Sequence, residues 1–283
     1  MRTGEQLSMF DIVLEAPEPE QKAEEIVPQP ITREEPTIII EETHPLDKVQ
    51  IPTLNDVFKK LERAAYRVDR YRLLSDVFEC GAIAVSNRFD LPQAPEREKR
   101  YLQIMKAYQP DEQKLICDIF TDLFLILTSV TSKNGQFRDW LGELYMQSGT
   151  SSDKNGQFFT PYDVSKMCAK ITINGGIVEE RKKTGEILSL SEPACGSGGM
   201  VLAAMDVLWN DFGFNYANQC FVEACDIDSR CVHMCYLQLS LAGVPAIIKQ
   251  QDTISRKLWS VWKTPAYIMN WLKFREFESC AHI

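Results

Sequence analysis

The stretch Ser191-Glu192-Pro193-Ala194-Cys195-Gly196-Ser197-Gly198-Gly199-Met200 decides the fold class of this chain. It follows an apolar run at 187–190 and leads into another at 201–205, so the pattern predicts a strand, a glycine-rich turn and a helix. Glycines at such a corner let a ligand approach the backbone, and the following helix offers unpaired N–H groups. The corner suits a small-ligand site, although glycine also serves strand-to-helix corners that hold no ligand.

Two further strand candidates end in acidic residues. The run 220–225 is followed by Asp226 and Asp228, and the run 245–250 is followed by Asp252. A carboxylate at a strand end beside a glycine turn is where α/β folds bind a ribose diol, because two acceptor oxygens match two hydroxyl donors. A nicotinamide dinucleotide is the weaker alternative, since its phosphates favour the spacing Gly-x-Gly-x-x-Gly, which these glycines do not give.

Upstream, Gln157-Phe158-Phe159-Thr160-Pro161 precedes a helical pattern that runs to Ile171. Thr160 fits the N-cap of that helix and Pro161 its first position. Taken in order with the glycine stretch, Asp-Ile-Asp and Gln-Asp-Thr, this segment resembles the cofactor half of the N6-adenine DNA methyltransferases. The likeness is greatest to the modification subunits of type I restriction systems, and it covers about residues 153–254.

The resemblance implies an α/β, Rossmann-like methyltransferase fold that binds S-adenosylmethionine and acts on DNA. The residues that would lie against the methionine portion, or open the glycine turn beside it, are Gln157, Phe158, Phe159, Thr160, Pro161, Glu192, Ala194, Gly196, Ser197, Gly198 and Gly199. Asp226 would bind the ribose, and Asp252 would accept from the exocyclic amine of the cofactor's adenine. A sulfonium ligand with a ribose and a purine needs hydrogen-bond acceptors rather than cations, in agreement with this set.

One motif of the family is missing. Amino-group methylation uses a polar residue followed by Pro-Pro and an aromatic residue, and the sequence contains no Pro-Pro dipeptide. The nearest likeness, Thr264-Pro265-Ala266-Tyr267, lies 12 positions past Asp252. Thr264 would accept from the target amine and Tyr267 would stack on the extruded base if this segment were catalytic. The alternative is a turn before an apolar terminal stretch.

The sheet is expected to be incomplete, because we identify about three strands and 31 residues follow Asp252. An incomplete sheet has an open strand edge that another chain must cover, or that the aromatic segment from Trp259 to Phe277 would cap. Upstream, apolar residues recur at helical spacing around 54–68 and 115–130, so residues 53–149 are predicted to form a helical domain. Residues 150–283 would form the methyltransferase-like domain.

Residues 1–52 form an acidic, proline-rich arm by composition. The first 46 residues carry 11 acidic and 3 basic side chains, which account for almost all of the formal charge of −9. Such a segment buries little apolar surface and is predicted to be disordered. Its Gln6-Leu7-Ser8-Met9-Phe10 resembles the peptide by which bacterial replication and repair proteins dock on the DNA sliding clamp. The near-neutral remainder does not have the charge typical of duplex binding.

Cysteine usage and hydropathy indicate the compartment. Nine scattered cysteines without a secretory signal predict reduced thiols in the cytoplasm. Cys231, His233 and Cys235 lack the paired spacing of a zinc site, and no metal is expected. No apolar run reaches the ~18 residues of a membrane span.

Two functions remain open. One is an adenine methyltransferase whose missing elements, such as a specificity subunit or second methyltransferase subunit, are supplied in trans. The other is a non-catalytic relative that binds S-adenosylmethionine or regulates a partner.

Overall fold

The computed structural model describes residues 50–64, 68–131, 136–149 and 158–278. The predicted clamp-binding peptide at Gln6 to Phe10 lies outside the described residues, as do Gln157 and nearly all of the acidic arm. Among these described residues, five α-helices and a 3-10 turn (Ser129–Thr131) precede the predicted domain boundary. The helices are α1 (Leu54–Ala64), α2 (Arg70–Ser86), α3 (Ala94–Met105), α4 (Pro110–Thr128) and α5 (Trp140–Gln147).

Polar residues begin three of these helices. Asp69 accepts from the N–H of Arg72 at the start of α2, and Asp139 accepts from the N–H of Gly142 at the start of α5. At the start of α4, Glu112 accepts from the N–H of Gln109, the residue before Pro110. These contacts satisfy N–H groups that the first turn of a helix leaves unpaired.

The second half alternates helices with strands. Its elements are α6 (Tyr162–Thr172), α7 (Gly175–Thr184), β1 (Leu188–Glu192), α8 (Gly199–Asp206), a π-helical turn (Val207–Asp211), α9 (Tyr216–Gln219), β2 (Cys220–Asp226), α10 (Ser229–Leu241), β3 (Ala246–Gln251), β4 (Leu258–Lys263), α11 (Pro265–Met269) and α12 (Trp271–Glu278).

In the described residues the strands form one sheet with the order β1-β2-β3-β4. Strands β1, β2 and β3 are parallel, and Leu188 lies beside Cys220 at the start of the first pair. β4 is antiparallel to β3, with an irregularity at Gln250/Gln251. The prediction of about three strands was therefore one strand short, because the segment 258–263 is itself a strand. The mixed α/β class agrees with the predicted fold.

The two faces of the sheet pack against different helices. In β2, Val222 belongs to the main core, whereas its neighbour Phe221 belongs to a small second cluster with Tyr267 and Phe274. Alternate side chains of a strand point to opposite faces, so α11 and α12 pack on one face through Tyr267 and Phe274, while α10 packs on the other.

The main core is continuous across the predicted boundary at 149/150. It includes Phe78 of α2, Ile119 of α4 and Leu144 of α5 together with residues of α8, α10, β2 and β3. The described helical region and the sheet region therefore share one core. None of the helices within the described ranges is long and apolar enough to cross a membrane.

Candidate functional site

The glycine turn leaves β1 at the carboxyl edge of the parallel strands. Gly196 and Gly198 have φ values of 53° and 96°, in the left-handed region that side chains other than glycine rarely adopt. The N–H of Cys195 donates to the carbonyl of Cys225 over 2.8 Å, and the N–H of Gly198 donates to the carbonyl of Cys195 over 2.8 Å. The first bond attaches the turn to the end of β2 and the second closes the turn on itself. Helix α8 begins immediately afterwards at Gly199.

Asp226, at the end of β2, is bonded to the turn directly. Its Oδ2 accepts from the N–H of Gly196 over 2.9 Å, and its Oδ1 accepts from the N–H of Asp228 over 2.9 Å. Burial raises the pKa of the Asp226 carboxyl, and the nearby carboxylate of Asp228 adds to the rise. An ionised carboxylate has about four lone-pair sites, so Asp226 retains acceptor capacity for a ligand.

A second carboxyl flanks the same corner. Glu192 is buried at the end of β1, and its Oε1 accepts from the N–H of Ala194 over 3.1 Å. Burial raises its pKa, and the charge of Asp226 raises it further. Glu192 is buried and Asp226 is half-buried, and two such carboxyls with raised pKa values favour a donor-rich or cationic ligand, which would stabilise their charged forms.

The segment 158–161 lies against the turn through Phe159. A Cβ built on Gly196 would come 3.1 Å from the ring of Phe159, and that ring packs on Tyr145 of α5 with centroids 5.5 Å apart. Phe158, Thr160 and Pro161 are exposed. Within the segment 158–161, Phe159 is therefore the residue that reaches the glycine turn.

The start of α6 differs from the prediction that Thr160 caps it. Pro161 occupies the N-cap position with φ −54° and ψ 139°, and it makes no side-chain cap bond. The extended ψ of Pro161 delays the first helical residue to Tyr162.

A cavity of about 760 Å³ adjoins this segment, between α5 and α6. Its wall includes Asp139, Phe159, Tyr162, Lys166 and Asp206. Asp206 is buried at the end of α8, where it accepts from Tyr162 over 3.0 Å and pairs with Lys166 over 2.8 Å. Gly196 and Asp226 do not line this cavity, which meets the glycine corner through Phe159 and Asp139.

Asp252 lies on the loop that follows β3, and its carboxylate is already engaged. It accepts from the N–H groups of Ile254 and Ser255 and from the hydroxyl of Ser255, and these bonds lower its pKa. The neighbouring Thr253 donates to the carbonyl of Pro193 over 2.6 Å. The loops after β1 and β3 therefore meet, which brings Asp252 to the rim that carries the glycine turn.

Thr264 and Tyr267 lie at the other edge of the sheet. Thr264 accepts from the N–H of Ala246, the first residue of β3, and donates to the carbonyl of Val244. It also begins α11, and both it and Tyr267 are completely buried. Because β4 runs antiparallel to β3, it returns the chain to the edge opposite Gly196 and Asp226. These two catalytic candidates are therefore separated from the cofactor corner by the length of β3.

Sequence reasoning missed Asp139 and Gln238. Asp139 is 4% exposed; its Oδ2 accepts from the hydroxyl of Ser197 over 2.5 Å, and its Oδ1 accepts from Nε2 of Gln238 over 2.8 Å. Burial raises its pKa, opposed by these hydrogen bonds. The one local signal was an aspartate before the apolar helix Trp140–Gln147, which is typical of an N-cap and does not reveal the distant partners.

Comparison with known protein families identifies the class of protein. The sequence pattern of the N-6 DNA methylase family matches residues 136–277, just over half of the chain. The chain therefore belongs to the N-6 DNA methylase family, as the resemblance of its motifs predicted. The match begins four residues before α5, so it includes Asp139 as well as the sheet.

Particular relatives are more distant. The type I restriction enzyme MpnII methylase subunit of Mycoplasma pneumoniae is 22% identical over an alignment of 218 residues that covers 73% of this chain and 34% of that protein. The crystal structure of the type I restriction-modification system methyltransferase subunit from Streptococcus thermophilus aligns with a TM-score of 0.35 and 15% identity, covering 68% of this chain and 57% of that one. This chain spans about a third of the length of the Mycoplasma relative.

Proposed function

We propose that this chain binds S-adenosylmethionine at the corner formed by Gly196 and Asp226, and acts as a DNA adenine-N6 methyltransferase of the restriction-modification type together with a partner chain. The observation that carries the proposal is the hydrogen bond between the Gly196 N–H and Asp226. It joins a glycine turn with left-handed backbone to a carboxylate with free acceptor capacity, which is the arrangement a ribose-bearing ligand needs.

The residues at this corner fit this cofactor. Glycine at 196 leaves room for the ring of Phe159, which gives the turn an aromatic wall, and glycine at 198 lets the turn pack closely against Cys235 of α10. Asp226 would accept from the ribose hydroxyls, and Glu192 adds negative charge beside a sulfonium. Asp252 would contact the adenine amine with the acceptor capacity that its bonds to Ser255 and Ile254 leave. When bound, the cofactor supplies an electrophilic methyl group.

The partners are inferred from the relatives. DNA is the proposed substrate because the family is that of the N-6 DNA methylases. The Mycoplasma relative is named as a subunit of a type I restriction enzyme, so a specificity subunit or a second methyltransferase subunit is the proposed partner. The peptide Gln6 to Phe10 would add the DNA sliding clamp as a further partner. With these partners, the proposed location is the cytoplasm.

A second function is favoured by the position of Thr264 and Tyr267. Both are buried at the sheet edge away from the glycine turn, so in this fold neither reaches a base held near the cofactor. A non-catalytic relative that binds S-adenosylmethionine and regulates a partner would retain the turn and need no residue at a target base.

Transfer of a labelled methyl group from S-adenosylmethionine to mixed genomic DNA separates the two functions. The full chain is assayed alone and with candidate partner chains, and the product nucleosides are identified. Label at adenine N6 that is lost in Asp226→Ala supports the methyltransferase. Binding of the cofactor without label in any combination supports the non-catalytic relative.

The clamp contact needs its own test. A peptide of residues 1–15 should bind the sliding clamp in calorimetry, and Leu7→Ala with Phe10→Ala should abolish the heat. Absence of binding by the unmodified peptide would remove this partner.

A further inference from the structure

Asp139 joins the helical region to the cofactor turn. It caps α5 with one carboxylate oxygen, which accepts from the N–H of Gly142 over 2.9 Å. The cap needs one acceptor oxygen, which serine or threonine would supply equally well. The other oxygen, Oδ2, accepts from the hydroxyl of Ser197, which is 58 residues away in sequence and lies between Gly196 and Gly198.

Gln238 of α10 completes the contact. Its Nε2 donates both to Oδ1 of Asp139 over 2.8 Å and to the carbonyl of Ser197 over 2.7 Å. The side chain and the carbonyl of Ser197 are therefore both fixed, one by Asp139 and one by Gln238. A peptide unit whose carbonyl is fixed has its following N–H fixed as well. That N–H belongs to Gly198, which donates to Cys195 within the turn.

Two glycines keep the carboxylate close to the turn. A Cβ on Gly142 would lie 2.2 Å from Oδ2 of Asp139, and a Cβ on Gly199 would lie 2.7 Å from the same atom. The Asp139 carboxylate thus occupies the space between the starts of α5 and α8. All three polar residues are buried, so water does not replace their bonds at low cost.

We infer that Asp139 is a positioning residue for the cofactor site: with Gln238 it holds Ser197, and thereby the backbone from Gly196 to Gly198, in the conformation that receives S-adenosylmethionine. This inference rests on the proposed cofactor function. It makes the helical region part of the cofactor site, because α5 supplies the group that holds the turn.

Substitutions at Asp139 separate its two roles. Asp139→Ser keeps an N-cap oxygen for α5 and loses the reach to Ser197, so it should weaken S-adenosylmethionine binding at least tenfold. Asp139→Asn keeps Oδ1 for Gly142 and Gln238 and offers an N–H to the Ser197 hydroxyl, which is also an acceptor. Because these contacts are retained, the affinity of Asp139→Asn should stay within about threefold of that of the unmodified chain, where a tenfold change would correspond to about 1.4 kcal/mol.

The matched control removes a buried hydrogen bond elsewhere in the same core. Tyr216 donates to the carbonyl of Ala242 over 2.8 Å, away from the turn. Tyr216→Phe should lower the unfolding midpoint and leave the affinity of the folded chain unchanged. If Asp139→Ser behaves in the same way as Tyr216→Phe, with lower stability and normal affinity, Asp139 is structural and the inference is wrong.

Amide hydrogen exchange tests, without any ligand, whether Asp139 stabilises the backbone of the glycine turn. The peptide spanning 191–200 should exchange at least tenfold faster in full-length Asp139→Ser and Ser197→Ala than in the unmodified chain, Asp139→Asn and Tyr216→Phe. Unchanged exchange in both variants would overturn the inference. If the unmodified chain does not bind S-adenosylmethionine, the proposed function fails, and the exchange rates still decide whether Asp139 holds the turn.

Discussion

The backbone N–H of Gly196 donates to Oδ2 of Asp226 over 2.9 Å, and the two residues are 30 positions apart in sequence. The glycine turn after β1 and the acid after β2 are therefore one hydrogen-bonded unit. A change at either residue should alter the other, so the ribose-binding acid also shapes the turn that would hold the methionine portion.

Asp226→Asn should weaken S-adenosylmethionine binding at least tenfold. Asp226 accepts with both oxygens, from Gly196 and from Asp228, whereas an amide accepts with one and presents an N–H₂ group to the other donor. The unsatisfied donor should also cost about 1–3 kcal/mol of stability. Calorimetry and urea unfolding measure the two effects. Asp211→Asn, which alters a surface pair with Lys170, is the control and should change neither by much.

The affinity for S-adenosylmethionine should depend on pH through Asp226. Burial and the carboxylate of Asp228 raise its pKa above 3.8, and Glu192 lies beside it with a raised pKa of its own. Protonation removes the acceptors, so affinity should fall by up to about tenfold per pH unit as the pH drops through the raised pKa. Titrations between pH 4 and pH 8, a range of about four units, measure this, and Asp226→Asn should flatten the profile.

The stability of the free chain should change with pH in the opposite direction to the affinity for S-adenosylmethionine. A carboxyl whose pKa is raised on folding binds its proton more tightly in the folded state, so its contribution is largest at low pH and is lost as the pH rises through the folded pKa. The free energy of unfolding of the unmodified chain, relative to Asp226→Asn, should therefore decrease with rising pH. A relative stability that increases with pH would contradict the burial assigned to Asp226.

Gly198→Ala should destabilise the chain more than Gly213→Ala. Both glycines have positive φ, at 96° and 60°, so both substitutions impose backbone strain of about 1 kcal/mol or more. At Gly198 a Cβ would also lie 3.1 Å from Sγ and 3.3 Å from Cα of Cys235, whereas at Gly213 it meets open space. Chemical unfolding compares the two. Equal losses would show that the turn has room for a side chain.

Thr264→Val should lower stability without affecting the cofactor. The hydroxyl accepts from Ala246 and donates to Val244 in a fully buried position, so its loss should cost about 1–3 kcal/mol. The affinity for S-adenosylmethionine and any methyl transfer by the folded chain should be unchanged. A stable Thr264→Val variant that has lost methyl transfer would place this residue at the target base after all.

The sequence contained the local part of the site. Glycine spacing, an acid at a strand end and the Phe-Phe-Thr-Pro segment are short-range signals, and the α/β class follows from them. The direction of β4 was not predictable in this way, because the run 258–263 fits a strand of either orientation. That direction decides that Thr264 lies beside Ala246, at the edge away from Gly196.

Long-range polar contacts could not be predicted from the sequence either. Asp139 and Ser197 are joined through a hydrogen bond that no periodicity encodes, and the predicted boundary at 149/150 separates them. Local patterns assign an aspartate before a helix to capping, which Asp139 also performs. Its second oxygen has a role that the three-dimensional structure alone defines.

Calorimetric titration of the full chain with S-adenosylmethionine is the decisive measurement for a cofactor site at Gly196 and Asp226. We expect saturable binding to the unmodified chain at one site per chain. Gly198→Trp should abolish this binding by forcing the turn away from Cys235 of α10, while Gly213→Trp, which enters open space, should retain it. Equal binding by the unmodified chain and a folded Gly198→Trp variant, or no binding by the unmodified chain, would contradict the assignment of the cofactor to this corner.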